Sequence, residues 1–137
     1  MRILGVSEKW DKLRQPRWTT FRFTRKDKDW GVGEVVQVVY KPRSKGREVL
    51  GIAEIVAKEP RQFAIGFPGP GKLPYISTAE ALTDGFENLT HLLKWFHRRY
   101  GSRIDKEPMN KLTLRWRLSN ISLELVLPSP KDWRSTL

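Results

Sequence analysis

Three residues of the segment PRWTTFRF, namely Arg17, Thr20 and Arg22, are of types that hold anions or base edges. A guanidinium offers a planar fork of donors that matches phosphate oxygens or a base edge, and a threonine hydroxyl both donates and accepts. If WTTFRF is a strand, alternation puts Trp18, Thr20 and Arg22 on one face and Thr19, Phe21 and Phe23 on the other. The second face reads as core and the first as a site. Arg17 follows Pro16 in a turn, where its guanidinium either reaches a phosphate or is simply solvated. The ordinary structural reading stands beside this one: threonine favours strands, and Arg22 pairs with a nearby carboxylate.

Further candidates lie elsewhere. Lys41, Arg43, Lys45 and Arg47 fall in KPRSKGR with no acid among them, which makes either a landing surface for a phosphate backbone or a solvated hairpin tip. Trp18 and Trp30 flank the basic motif; exposed, each would stack on an unpaired base for about 1–3 kcal/mol, and buried, each would be core. Asp84 has the spacing of an N-cap, with Glu87 three residues on. His91 and His97 are six apart on a predicted helix, on different faces, so they share neither a metal nor a proton relay. With no Cys, disulfides, thiolate nucleophiles and Cys-ligated zinc are excluded, and no metal or cofactor is expected.

The whole chain carries 26 Lys+Arg against 15 Asp+Glu, a formal charge of +11 over 137 residues, a field that attracts polyanions. RNA or a nucleotide is therefore the expected partner class, although small basic proteins also exist without one. No stretch has the length of a signal peptide's apolar region or the ~20 apolar residues of a membrane span, so a cytoplasmic, membrane-free protein is expected. The length fits one domain over 1–137, and oligomeric state is not legible.

These residues have to be positioned by elements with their own sequence signals. Trp10 and Leu13 dock a short helix within SEKWDKLRQ that Pro16 stops. EVVQVVY reads as a strand buried on both faces, EVLGIAEIVA as its hairpin partner, with a basic tip between Tyr40 and Glu48. Glu59 to Pro74 is expected to be loop. Ser77 and Glu80 form a capping box for a short helix through Leu82. The main helix follows from Asp84 with Phe86, Leu89, Leu93, Phe96 and Tyr100 at threes and fours, ended by Gly101. A last hairpin puts Leu112, Leu114, Trp116 and Leu118 on one face, turns at Ser119 and Asn120, and returns through Ile121 to Leu127 with Arg115 opposite Glu124. This order predicts an α+β, mostly β protein: a curled sheet or small barrel closed by one helix.

PRWTTFRF, VGEVVQVVY, VLGIAEIV, TDGFENLTHLLKWFHRRYG and LTLRWRL, in that order, resemble the ASCH domain family of the PUA-like superfamily over most of the chain. The family typically shows Gly-x-Lys-x-x-Thr-x-Arg, matched here by Arg17, Thr20 and Arg22, with Gln15 where the Gly stands and Arg17 where the Lys stands. The resemblance implies a small PUA-like β-barrel of five to six strands with one main helix and one or two short helices. It also implies a cleft beside the motif that binds RNA or modified nucleosides, and Asp84 at the position of a carboxylate bordering it. Some members are reported as hydrolases of acylated cytidine or as ribonucleases.

Two readings follow. In the first, a binding module, Arg17, Arg22 and the tip residues hold phosphates while an aromatic stacks on a base. In the second, an enzyme, Thr20 and Asp84 act on an acylated nucleoside. Arg17 weighs against the second, because an arginine cannot shed its proton as a buried lysine can. The ribonuclease version lacks a well-placed histidine as acid. A Pro-rich PSPKDW tail is all that suggests an adaptor.

Overall fold

The computed structural model describes residues 1–63 and 73–121. Five strands, β1 (Arg2–Val6), β2 (Arg17–Phe23), β3 (Val35–Tyr40), β4 (Glu48–Arg61) and β5 (Met109–Ser119), form one curled sheet, a half-barrel, in the order β1-β3-β4-β5-β2. A 3-10 turn, Asp11–Arg14, precedes β2, and three helices, α1 (Thr78–Thr83), α2 (Leu89–Tyr100) and α3 (Arg103–Lys106), lie between β4 and β5. The expected α+β, mostly β architecture with one main helix and short companions is therefore present. Strand β1 was not foreseen. It pairs parallel to β3, Leu4 opposite Val38, and its alternating Leu4 and Val6 are fully or almost fully buried. No helix among the described residues is long and apolar enough to cross a membrane.

Local chemistry explains most boundaries. The hairpin of β3 and β4 closes with Tyr40 opposite Glu48, as the alternation of the two runs predicts. Ser77 accepts from the Glu80 amide while the Glu80 carboxylate accepts from the Ser77 amide, a complete capping box for α1. At the far end of α2, Gly101 takes a φ of 62° and its N–H bonds the His97 carbonyl. Strand β4 runs on to Arg61, further than its β-branched run suggests, because β5 provides pairing partners as far as Met109. Over its first residues β5 is flanked on both sides, by β4 and by β2; the return strand of the expected last hairpin, with Glu124, lies outside the described residues. Arg115 pairs with Glu54 of β4, at 3.1 Å.

Curvature comes from irregular registers. The β3–β4 ladder shifts between Val38 and Val39, and the β4–β5 ladder shifts twice more. Gly51 sits where both ladders are displaced, with φ of 150°, and a Cβ there would run into the Leu118 carbonyl oxygen. Two apolar cores result. One, within the curl, holds Leu4, Leu13, Trp18, Trp30, Val38 and Trp116; the other, beneath the helices, holds Phe21, Phe63, Phe86, Leu92, Phe96 and Met109. Trp10 packs against both and so marks their seam. Replacing Gly51→Ala should cost about 3 kcal/mol from backbone strain and steric overlap, read as a lower midpoint in urea unfolding with the slope unchanged.

Candidate functional site

Because the sheet is open, β1 and β2 are its two edges, and the gap between them is bridged by a side chain rather than a strand ladder. Arg22 donates from Nη1 to the Gly5 carbonyl at 2.7 Å and from Nε to Thr20 Oγ1 at 3.2 Å. Gly5 itself lies against the ring of Pro42, so the first strand, the second strand and the hairpin tip meet at this point. Arg22 has no carboxylate among its hydrogen-bond partners, contrary to the ordinary reading of a strand arginine.

A cavity occupies the gap. It is lined by Trp18, Thr20 and Arg22 from β2, Gly5 to Ser7 from the end of β1, Trp10 and Lys12, Asp84 and Phe86, and residues of α2 including Arg99. About 40 Å3 of it is open to the centres of water-sized molecules, room for roughly three waters. Gly5, Val6, Ser7 and Arg99 also line a wider groove of about 460 Å3 whose opposite wall is Lys41, Pro42, Arg43 and Ser44. A narrow cavity thus adjoins an open, cationic groove.

Asp84 reaches the cavity by a helix-stop device. The Gly85 amide bonds the Leu82 carbonyl and the Phe86 amide bonds the Ala81 carbonyl, with Gly85 at φ of 103°, while Phe86 and Ala81 share the lower core. The Asp-Gly-Phe sequence therefore closes α1 rather than opening α2. The N-cap of α2 is Asn88, whose side chain accepts from the His91 amide, so the capping role expected for Asp84 is corrected. Freed from it, the Asp84 carboxylate accepts from Thr19 Oγ1 at 2.9 Å and from Lys12 Nζ at 3.1 Å, both on Oδ1.

Lys12 is the functional residue that sequence reasoning missed. The 3-10 turn, closed by Leu13 N–H to the Trp10 carbonyl and Gln15 N–H to the Lys12 carbonyl, anchors Leu13 in the core and turns Lys12 inward. Its side chain is 9% exposed and that of Asp84 3%. Burial pushes the Lys12 ammonium below its ordinary pKa and the Asp84 carboxyl above its own, each resisted by the charge of the other. Thr19, on the supposed core face, orients the carboxylate; Thr20, the expected partner of Asp84, bonds Arg22 instead. The signal available in advance was a lysine between two docking residues, Trp10 and Leu13, which forces it toward buried surface.

The remaining expectations divide. Thr20, Arg22 and Asp84 line one cavity, and Lys41 and Arg43 line the groove beside it. Arg17 is exposed at the start of β2 and lines neither; its place opposite Arg115 leaves it on the wrong end of the strand. Lys45 and Arg47 also lie outside the groove; Arg47 bonds the Pro42 carbonyl. Trp18 and Trp30 are 2% and 4% exposed, so neither can stack on a base. Trp18 packs on Trp116, and Trp30 lies under the Arg2 and Arg25 guanidiniums. Neither histidine lines the cavity: His91 accepts from the Glu87 amide and His97 faces a separate depression beside Phe63.

No protein-family model matches the chain, and neither a curated protein nor a solved structure does.

The ion pair can be tested as a structural element. Lys12→Met alone strands a buried carboxylate and should destabilise by about 3–5 kcal/mol. The double change Lys12→Met with Asp84→Asn removes both charges and should recover most of that loss in urea unfolding.

Proposed function

We propose that this chain binds a nucleotide, free or as an unpaired residue of RNA, with its base end at the Arg22 cavity and its phosphate in the Lys41–Arg43 groove. The observation that carries the reading is the adjoining pair of spaces: a narrow, partly open polar cavity that shares Gly5 to Ser7 and Arg99 with a cationic groove of nucleotide size. Lys12, Arg22 and Arg99 against Asp84 leave the cavity with an excess of positive charge, and Lys41, Arg43 and Arg99 add a run of cations along the groove. Trp10 and Trp95, half-buried in the cavity wall, replace Trp18 and Trp30 as the aromatic surfaces. The reading agrees with what membership of the ASCH family implies, and we assign the chain to that family as part of the same proposal.

A second reading, hydrolysis of an acylated nucleoside, is favoured by the Lys12–Asp84–Thr19 cluster. The objection raised by Arg17 loses its force if Lys12 is the base. Its amine, held below the usual lysine range by burial, takes a proton from a water that attacks the acyl carbonyl. Arg22 stabilises the developing oxyanion, the C–N bond breaks, and Lys12 returns the proton to the departing amine. Thr19 holds Asp84 in place. A ribonuclease mechanism finds no histidine at the cavity.

Binding is tested by titrating cytidine and uridine 5′-monophosphates and a short single-stranded RNA at several salt concentrations. For the RNA, Lys41→Ala with Arg43→Ala should flatten the log–log salt slope by about 1.4, roughly 0.7 per lost contact, whereas Lys45→Ala with Arg47→Ala should leave it unchanged. Equal effects of the two pairs would point to a diffuse basic surface instead. Hydrolysis is tested by release of cytidine and acetate from N4-acetylcytidine. Turnover should rise with pH and level off below the ordinary lysine pKa of 10.5, since burial lowers the value at which Lys12 becomes a free base, and Lys12→Arg should abolish it.

A further inference from the structure

Arg99, in the last turn of α2, is the charged residue that lines both the cavity and the groove, and with Gly5, Val6 and Ser7 it forms the boundary the two spaces share. A ligand that occupies both must cross this boundary. Its backbone acceptors are already taken: the Gly5 carbonyl receives Arg22 Nη1 and the Val6 carbonyl receives the Lys41 amide. The Ser7 hydroxyl has no hydrogen-bond partner among the described residues.

The Arg99 guanidinium is held in place but not neutralised. Its carbon lies 5.5 Å from the centre of the Trp95 ring and 5.7 Å from that of Tyr100, both in the cavity wall, and Nε donates to Tyr100 Oη at 3.3 Å. Neither Nη1 nor Nη2 has a hydrogen-bond partner among the described residues, and no carboxylate pairs with them. Arg103, four residues on, is instead closed off by Glu107. The one carboxylate lining the cavity, Asp84, is committed to Lys12 and Thr19. Arg99 is near enough for its charge to act on Arg22, where it adds to burial in lowering the pKa of that guanidinium. Two like charges facing one space are relieved when an anion joins them.

We infer that Arg99 is a specificity-determining residue for a phosphate carried directly on the sugar, which its two unengaged Nη groups hold at the boundary with Lys41 and Arg43 on the outer side. This rests on the nucleotide reading above and narrows the ligand class to a phosphorylated nucleotide, with the bare nucleoside disfavoured. The boundary offers donors and a cation while its Gly5 and Val6 acceptors are spent, so a group that only accepts, as a phosphate dianion does, is matched there. A sugar hydroxyl in the same place would meet the guanidinium without a charge of its own. The phosphate stands on either the 5′ or the 3′ oxygen.

Uridine, uridine 5′-monophosphate and uridine 3′-monophosphate separate these sources when titrated into the full chain, as wild type and as Arg99→Gln, Arg99→Lys and Arg98→Gln. At least one monophosphate should bind wild type about 10-fold or more tightly than uridine, and the one that does so names the position of the phosphate. In Arg99→Gln that preference should fall about 10-fold with the affinity for uridine unchanged. Arg99→Lys, which keeps the charge and loses the planar fork, should recover only part of it. Arg98, the next residue back, lines the separate depression beside Phe63, so Arg98→Gln should change nothing. In 15N-labelled wild type the Arg99 Nε–H resonance should shift with the preferred monophosphate and not with uridine, a readout that needs no variant. A preference that survives in Arg99→Gln, or a loss there shared equally by uridine and the monophosphates, would overturn the role of Arg99 and leave nucleotide binding standing. Uridine binding wild type as tightly as both monophosphates would overturn it too, and absence of binding by all three probes would overturn both.

Discussion

The sheet stops short of closing, and the gap between its two edge strands governs the rest of the molecule. Edge strands present unpaired backbone groups, which proteins pair, cover or blunt. Here the gap is spanned by one guanidinium, Arg22 to the Gly5 carbonyl, and covered by Phe86 and Phe96 from the helical side. A strand ladder would have filled the space with backbone. A side-chain bridge leaves a cavity, and the polar atoms around it are the ones chemistry can use. The hairpin tip is drawn to the same place, because Lys41 donates its amide to the Val6 carbonyl and Pro42 rests on Gly5. Lys41 holds a φ of 43° there, the only non-glycine among the described residues on the positive side.

Stability alone gives little reason for the composition of this gap. Bringing Lys12 and Asp84 out of water costs each several kcal/mol before they attract one another, and apolar pairs of similar volume are commonly as stable or more so. Arg22 adds a second, half-buried cation with only neutral hydrogen-bond acceptors, and the buried Trp18 leaves a donor unmet. Perturbed charges gathered in one small space, here Lys12, Asp84 and Arg22, cluster at functional sites more often than in structural ion pairs. Other charged groups behave differently. Arg2 with Glu34, Lys58 with Asp29, and Glu80 between Arg61 and Lys111 are paired at half-buried positions and hold their carboxylates below the usual range, as structural ion pairs do.

What could be read from the sequence was what depends on near neighbours. Period-two alternation identified β2, the capping box at Ser77 identified α1, and Tyr40 with Glu48 identified the ends of a hairpin. The site was half legible for the same reason: Thr20 and Arg22 share a face by local geometry. Lys12 and Asp84 are 72 positions apart, and nothing local joins them; only the 3-10 turn and the Gly85 stop bring them together. Asp84 was misread as a cap because Asp followed by Glu three residues later has the spacing of one, whereas Asn88 has the better position one turn closer to the helix. Trp18 and Trp30 were ambiguous in principle, since composition cannot tell a stacking platform from core when both faces of a curled sheet are covered.

The central claim is that the cavity and its adjoining groove, rather than the basic surface as a whole, hold the ligand. Amide and side-chain chemical-shift mapping during titration with uridine or cytidine 5′-monophosphate tests it most directly. The account predicts that the perturbed signals cluster at Gly5, Val6, Thr20, Arg22, Gly85 and Arg43, on both sides of the gap. Perturbations that instead concentrate at Arg17, Lys45 and Arg47, with the residues around Arg22 unmoved, would contradict it.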